Sequence, residues 1–483
     1  MNFLFDDVIR FFAMAIQVNI FVFKWIFRII GFIFLAGRGA YRLSKGQPGW
    51  DIPFKTRFEH MHVVAGSGHG KTQMLQHSIS NDMNLLKEGR GSVIVIDSQG
   101  DMIRKILSLE AVTALSEQNR LIVIDPTDIE YPPCLNLFDF GLSRLKNYSA
   151  LERETLINGA IALYEYIFGA LLGAELTNRQ GANFRYLARL MMIVPNATIF
   201  TLIDFLREPQ KVEPYINQLG GSAAEFFKGE FCHDDFAGTR KQIRDRLFGV
   251  LSSSMVLERM FSHTQNKVNI FDAMNRGSLI LINTAKDLLK EDGTEIFGRF
   301  FIALISQATQ ERAAIPEENR KSTFVYIDEA QDYFDKSIAN LLNQGRKYNV
   351  GLIISHQNLS QFDTKLRATV MGNTAIKMAG GLSAQDAHAL SAEMHTTAEE
   401  LLNVRKTDTH TQFMCYVKND PQTPFPLTIR FGSLESDPRS EDGAVQAIRE
   451  KNRALYCAKL MQEEEKQPVT LKAENGLVKP ELL

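Results

Sequence analysis

Eight consecutive residues have the composition of a phosphate-binding loop: Ala65, Gly66, Ser67, Gly68, His69, Gly70, Lys71 and Thr72. Three glycines within five residues allow backbone N–H groups to turn inward and surround a phosphate. Lys71 would reach the β- and γ-phosphates of a nucleotide, and the Thr72 hydroxyl would take a position on Mg²⁺. The alternative is an ordinary glycine turn followed by a chance Lys-Thr pair.

The loop lies between a predicted strand and a predicted helix. Residues 61–64 form a short apolar run, and residues 73–79 indicate the opening of a helix. The unpaired N–H groups and the positive end of a helix dipole favour bound anions. The backbone N–H groups that would surround the phosphates belong to Gly66, Ser67, Gly68, His69 and Gly70. The predicted ligands are therefore ATP and Mg²⁺.

An acidic pair follows another apolar run later in the chain. Residues 323–327 predict a strand that ends in Asp328 and Glu329. Asp328 would hold the Mg²⁺ coordination sphere, and Glu329 would orient and deprotonate the attacking water. Such a pair is weak evidence alone. Together with the upstream loop it is strong evidence, because only a sheet that joins both strands would use both motifs.

Several other polar residues lie near predicted strand ends, and each has a simpler explanation. Gln357 ends the run 351–356 and would sense the γ-phosphate or cap the strand. Asp97 and Asp125 follow apolar runs, where turn and cap chemistry is at least as good an explanation as catalysis. Arg346 precedes the strand 351–357 and, on its residues alone, is a surface charge.

The strand and helix patterns predict an α/β protein with a P-loop NTPase core. Continuous runs of β-branched residues are typical of parallel strands covered on both faces. Between about residues 148 and 262 this pattern stops, and helices are predicted at 151–172, 181–192, 198–206 and 239–261. We therefore predict an all-α domain inserted into the core. Its basic run 239–246 predicts a solvated helix face, with DNA contact as the minority alternative.

The composition of the 483 residues is that of a globular protein, with 45% hydrophobic and 23% charged residues. The formal net charge is only −2, so any nucleic-acid surface must be a local patch. The four cysteines form no CxxC pair, which favours neither a zinc site nor a disulfide framework and fits a reducing compartment.

The first 45 residues differ from the rest of the chain. Residues 8–37 are apolar enough to span a bilayer, but Lys24 and Arg28 interrupt them and lie on one helical face with Arg10 and Gln17. A helix in the interface plane and a spanning helix with a polar face both fit, and a buried core helix is the alternative. The predicted divisions of the chain are 1–45, 46–147, 148–262, 263–434, and a charged helix with a flexible tail at 435–483.

The order of these motifs resembles the HerA/FtsK branch of P-loop motor ATPases, and within it the coupling proteins of type IV secretion. The resemblance covers residues 50 to 435. The matching segments are 65–72, 96–97 with 100–101, 124–126 with 136–139, 327–329, and 345–348 leading into 355–357.

The resemblance implies a RecA-like core that works as a hexameric ring and threads DNA through its channel. It implies that Arg346 is an arginine finger offered to the neighbouring subunit and that Gln357 is the glutamine of the third motif. Relaxase and secretion-channel proteins are the implied partners, and the cytoplasmic face of the inner membrane is the implied location.

Three functions follow from these motifs. The first is a membrane-bound DNA translocase of conjugation, and the second is a HerA-like motor for DNA processing or packaging. The third is a nucleotide-dependent recruitment scaffold without sustained turnover. Coupling proteins often carry Pro-Lys-Gly where this chain has Ser98-Gln99-Gly100, and they usually have a hairpin of two spanning helices, whereas the N-terminal segment here is short and charged. Both departures weaken the assignment to secretion and leave the ATPase assignment intact, and the coupling protein remains the predicted function. The complete set of catalytic residues argues against the scaffold.

Overall fold

The computed structural model describes residues 52–139, 148–171, 178–334, 336–421 and 423–459. The predicted membrane segment 1–45 and the predicted flexible tail 466–483 lie outside these residues. Within the part of the chain that the structure describes, no helix combines the length and the apolar character needed to cross a bilayer.

A single nine-stranded sheet organises the fold. Its strands are β1 (Met61–Ala65), β2 (Gly91–Asp97), β3 (Leu121–Ile124), β4 (Leu279–Asn283), β5 (Ser322–Ile327), β6 (Val350–His356), β7 (Ile376–Gly380), β8 (His410–Val417) and β9 (Phe425–Arg430). Their order is β3-β4-β2-β5-β6-β1-β7-β8-β9. The first seven strands in the chain pair in parallel, and β8 and β9 extend the sheet in antiparallel fashion. The predicted α/β fold with a mostly parallel sheet is confirmed.

Strand β9 was not predicted from the sequence. Pro424 and Pro426 flank its first residue, and proline removes an N–H donor from a strand. The strand forms because it lies at the edge of the sheet, where a proline can leave its outer side without a ladder bond.

The central strands are apolar on both sides because helices cover both faces of the sheet. In β2, Val93 and Val95 join the hydrophobic cluster on one face, and Ile94 and Ile96 join the cluster on the other. This is the two-residue alternation of a strand. Both faces are buried, which explains why the sequence shows continuous apolar runs.

Helices connect the strands. Before β4 they are α1 (Lys71–Lys87), α2 (Asp101–Leu107), α3 (Glu110–Glu117), α4 (Ala150–Leu171), α5 (Asn178–Ile193), α6 (Ile199–Arg207), α7 (Glu213–Leu219), α8 (Gly221–Phe226), α9 (Ala237–Ser253), α10 (Met255–Phe261) and α11 (Ile270–Arg276). After β4 they are α12 (Lys286–Glu311), α13 (Lys336–Gln344), α14 (Thr364–Asn373), α15 (Ala384–Glu393), α16 (Ala398–Asn403), α17 (Ser433–Ser436) and α18 (Ala444–Tyr456).

Helices α4 to α10 lie where the sequence predicts an inserted helical segment. The predicted helix 239–261 is two helices, because Ser254 has an extended backbone with ψ of 115° between them. The buried side chains of the segment belong to one cluster with those of the sheet, which includes Phe184, Leu187 and Ile94. The segment therefore packs directly on the sheet, while its status as a separate domain stays a prediction.

The basic run 239–246 is only partly a solvated surface. Arg240 is buried, and its guanidinium donates to the backbone carbonyl groups of Phe231 and His233. Lys241 and Arg246 are exposed. Arg240 thus stabilises the turn before α9, and the remaining charges fit the solvated helix face.

Parallel strands place their carboxyl ends at one edge of the sheet, where open α/β sheets bind ligands. The loop after β1, the acidic pair after β5 and Gln357 after β6 all reach this carboxyl edge. Arg346 precedes β6 and therefore lies at the opposite, amino edge.

Candidate nucleotide site

The phosphate-binding loop joins β1 to α1, as predicted. Gly68 and Gly70 have left-handed backbones, with φ of 72° and 107°. A Cβ on Gly66 would lie 2.3 Å from the carbonyl oxygen of Gly381, and one on Gly70 would lie 3.0 Å from a methyl group of Thr411. Glycine is therefore favoured by backbone conformation at Gly68, by close packing at Gly66 and by both at Gly70.

Lys71 and Glu329 meet at the carboxyl edge. The Lys71 ammonium lies 3.2 Å from Oε1 of Glu329, and the side chains are 8% and 21% exposed. Glu329 has a left-handed backbone with φ of 47°, an uncommon conformation for a non-glycine residue and one that occurs at functional sites. The sheet thus brings together the two residues that the sequence assigns to phosphate binding and water activation.

Two amides hold the Glu329 carboxylate. Gln331 donates to Oε2 at 2.8 Å, and Gln357 donates to Oε1 at 3.3 Å. Burial raises the pKa of Glu329, but the bond from Gln331, the charge of Lys71 and the bond from Gln357 outweigh burial and lower the pKa below its usual value. The carboxylate is therefore ionised and oriented.

Asp328 is more deeply buried, with 7% of its surface exposed. Ser355 on β6 donates to Oδ1 at 2.7 Å, and Oδ2 lies 3.5 Å from the Thr72 hydroxyl oxygen. Burial raises the pKa of Asp328 to about 6; Ser355 lowers it, and the neighbouring charges of Glu329 and Asp97 raise it. A carboxylate beside a hydroxyl is a hard oxygen donor set that fits Mg²⁺.

Asp97 and Asp125 have structural roles. Oδ2 of Asp97 accepts the backbone N–H groups of Met102 and Ile103 in the first turn of α2, at 3.0 and 3.2 Å. Oδ1 of Asp125 accepts the backbone N–H and the hydroxyl of Thr127. Cap and turn chemistry, the simpler explanation from the sequence, accounts for both carboxylates.

A pair of buried histidines joins β1 to β6 beneath the site. Nε2 of His62 and Nε2 of His356 are 2.6 Å apart, and Nδ1 of His356 lies 2.9 Å from the Asn358 carbonyl oxygen. Burial lowers the pKa of His62 well below its ordinary value and that of His356 to about 4. Both rings are therefore neutral, and they fix the strand that ends in Gln357 against the strand that leads into the phosphate-binding loop.

Arg346 does not approach the other predicted site residues of its own chain. It lies in the turn Gly345–Tyr348 at the amino edge, and its side chain is 68% exposed. Its guanidinium lies 3.1 Å from Oε1 of Glu59. Its assignment as a finger for a neighbouring subunit stays a prediction.

The sequence did not reveal three residues before and at the start of β8 that bond to the phosphate-binding loop, here called the loop clamp: Lys406, Thr411 and Gln412. Lys406 donates to the carbonyl of Gly68, and Thr411 donates to the carbonyl of His69, both at 2.6 Å. Nε2 of His69 lies 2.9 Å from the Gln412 carbonyl oxygen. The His69 ring thus bonds to the loop clamp. The backbone N–H of His69 donates to the Gly66 carbonyl oxygen at 3.1 Å.

Solved structures share this arrangement of strands and helices. The bacterial conjugative coupling protein TrwBdeltaN70 superposes with a TM-score of 0.52 at 14% identity, over 81% of this chain and 88% of that chain. TrwB in complex with ADP and Mg²⁺ superposes with a TM-score of 0.51 at 15% identity, over 82% and 89% of the two chains. TrwB bound to the ATP analogue ADPNP gives a TM-score of 0.52 at 15% identity.

The chain has the fold of conjugative coupling proteins. The resemblance inferred from the motifs is therefore confirmed at the level of the fold. No family model matches the sequence, and no curated protein matches it. In this fold, the residues predicted to bind phosphate and Mg²⁺ converge at the carboxyl edge of the sheet.

Proposed function

We propose that this chain is a Mg²⁺-dependent ATPase that moves DNA as the coupling protein of a conjugative type IV secretion system. The observation that carries the proposal is the convergence of Lys71, Thr72, Asp328, Glu329 and Gln357 at one edge of the sheet. The likeness to TrwB, which has been solved with ADP and Mg²⁺, supports nucleotide use and a role in conjugation.

The residues divide the chemistry between them. The γ-phosphate of ATP would draw the Lys71 ammonium away from Glu329, which would free that carboxylate to accept a proton from the attacking water. Gln331 and Gln357 would keep the carboxylate in place during this exchange. Thr72 and Asp328 would hold Mg²⁺, which neutralises developing charge on the phosphates when it is bound.

Ring formation is part of the proposal. Arg346 and the phosphate-binding loop lie at opposite edges of the same sheet, so subunits stacked front to back would place the arginine of one beside the nucleotide of the next. A guanidinium there would stabilise charge on the transferring phosphoryl group. We infer a hexamer, with DNA, relaxase and secretion-channel proteins as its partners.

Residues 1–45 would attach the ring to the cytoplasmic face of the inner membrane. Arg38, Arg42 and Lys45 would contribute about 1 kcal/mol each near anionic headgroups. Full-length protein is expected in the membrane fraction after cell lysis, and a chain lacking residues 1–45 is the matched comparison. Recovery of the full chain in the soluble fraction would contradict this attachment.

The test of the function is ATP turnover by the full chain in detergent, measured with single-stranded DNA, with double-stranded DNA and without DNA. We expect DNA to stimulate turnover and Glu329→Gln to bind ATP without hydrolysing it, because the amide keeps the shape but removes the base. Nucleotide binding with no turnover under any condition would identify a scaffold instead of a motor.

A further inference from the structure

The turn that follows β9 packs against the first turns of α1. The backbone N–H of Gly432 donates to Oε1 of Gln73 at 2.9 Å, and Nδ1 of His77 lies 3.1 Å from the Ser433 hydroxyl. Phe431 immediately precedes this turn, and its backbone N–H donates to the Thr409 carbonyl at 2.9 Å. An aromatic residue is thus held beside the start of the helix that follows the phosphate-binding loop.

A nucleotide in this loop would run in a defined direction. The ammonium of Lys71 reaches the β- and γ-phosphates, whereas backbone N–H groups at the start of the helix cradle the α- and β-phosphates. The sugar and the base therefore leave the loop on the side of the first helical turn, next to Gln73. This is the side on which the turn after β9 is attached.

The solvent-facing side of this turn has the chemistry of a platform for an aromatic ring. Phe431 is half-buried, so the residue is partly accessible to solvent. Nζ of Lys406 lies 5.7 Å from the centre of that ring while it donates to the Gly68 carbonyl. An exposed aromatic face stacks on any nucleobase, and a nearby cation adds attraction to the π system.

We infer that Phe431 is the platform on which the base of the bound nucleotide stacks, and that Lys406 closes the side of this platform next to the phosphate-binding loop. The inference rests on the proposed nucleotide site and adds its nucleoside end. The recognised chemistry is an aromatic base, and a purine covers more of the ring than a pyrimidine does. ATP should therefore bind more tightly than CTP.

The experiment separates the base from the phosphates. Isothermal titration calorimetry on the full chain in detergent would measure the Kd of ATP, of CTP and of inorganic tripolyphosphate, each with Mg²⁺. Phe431→Leu should weaken ATP binding about tenfold while the Kd of tripolyphosphate stays unchanged. Phe431→Trp should restore ATP binding. Phe425→Leu, the same change at the other end of β9, should change neither constant.

Lys406→Met tests the second half of the inference, with Lys418→Met at the other end of β8 as its control. We expect Lys406→Met to weaken ATP binding more than tripolyphosphate binding. An equal loss of affinity for ATP and for tripolyphosphate would show that Lys406 only positions the phosphate-binding loop and does not contribute to binding of the nucleoside.

The outcomes separate this inference from the proposed function. An unchanged Kd for ATP in Phe431→Leu, or an equal loss for tripolyphosphate, would overturn the platform. Equal affinity of the unaltered protein for ATP and tripolyphosphate would also overturn it. A protein that binds neither ATP nor tripolyphosphate would overturn the nucleotide site itself.

Discussion

The two edges of the sheet use charged side chains in opposite ways. At the carboxyl edge, the side chains of Lys71 and Gln357 both bond to the side chain of Glu329. At the amino edge, Arg312 and Arg320 donate mainly to backbone carbonyl groups. A side chain can rotate from a side-chain partner to a ligand, whereas a guanidinium bonded to carbonyl groups holds the chain in place. The group of Lys71, Glu329 and Gln357 is therefore arranged to exchange partners, and Arg312 and Arg320 are arranged to stay fixed.

Two arginines at the amino edge, Arg312 and Arg320, bond to several separate segments of the chain. Arg312 has no exposed surface, and it donates to the Tyr348 carbonyl at 3.0 Å and to the Thr323 hydroxyl at 2.9 Å. Burial, and then the charge of Arg320, lower the pKa of Arg312 to about 9. Arg320 donates to the Lys347 carbonyl at 2.9 Å. Both arginines thus hold the turn that carries the predicted finger.

Removing the cation at the carboxyl edge should have the largest effect. Lys71→Ala is expected to lower ATP turnover by at least about a thousandfold, because the transferring phosphoryl group loses a fixed charge. The melting temperature should change little, since the ion pair of Lys71 is with the partly exposed carboxylate of Glu329. A folded variant with unaltered turnover would show that the loop does not bind the reacting phosphates.

Removing the charge of Arg346 at the amino edge should lower ATP turnover only in assembled rings. Arg346→Ala is expected to lower turnover by roughly a thousandfold in rings, with nucleotide affinity mostly kept, if the arginine contacts the neighbouring γ-phosphate. Rings mixed from Arg346→Ala and Lys71→Ala subunits should regain some turnover, because an intact arginine can then face an intact loop. Normal ATP hydrolysis by DNA-bound Arg346→Ala rings would show that Arg346 is not the arginine finger, and Lys347 would be the next candidate.

A third change measures the rigidity of the amino edge. Arg312→Met keeps much of the side-chain volume but leaves buried carbonyl groups without a donor, at an expected cost of about 3 kcal/mol in the free energy of unfolding. Thermal melting should show a clear loss relative to Arg104→Met, whose arginine is 64% exposed. Equal melting of the two variants would mean that the bonds of Arg312 contribute no net stability.

The smallest expected effect concerns proton exchange at the carboxyl edge. The pKa of Asp328 is raised to about 6, so below that pH Asp328 must lose a proton before it can hold Mg²⁺. Affinity for Mg²⁺-ATP should therefore fall as pH decreases through about 6. Ser355→Ala removes a hydrogen bond that favours the ionised form, and should move this midpoint upward by about one pH unit. A midpoint that stays in place would show that Ser355 does not tune the carboxylate.

The sequence predicts the part of the site whose chemistry is local. Asp328 and Gln357 directly follow strands, and Lys71 follows the loop that leaves β1. Parallel strands must bring such positions to one edge. Asp97 and Asp125 follow apolar runs in the same way as Asp328, yet they cap a helix and a turn. Asp97 and Asp125 differ from Asp328 because their carboxylates accept backbone N–H groups of α2 and of Thr127. The spacing of apolar residues does not show where those N–H groups lie.

The rest of the site depends on contacts between distant segments. Ser355 reaches Asp328 because β6 pairs with β5, and the loop clamp exists because antiparallel β8 lies beside β7. Nothing in the spacing near Lys406 or Thr411 indicates that either residue contacts the phosphate-binding loop.

The loop clamp has a consequence for the order in which the protein is made. Lys406 and Gly68 are separated by 338 residues, so a ribosome completes the phosphate-binding loop long before it completes the clamp. Domains fold during synthesis from the amino terminus onward. In the nascent chain, the phosphate-binding loop would therefore lack its bonds to the loop clamp until β8 and β9 have been synthesised and have paired. The geometry that the clamp gives the phosphate-binding loop would be complete only once Val417, the last residue of β8, has been synthesised.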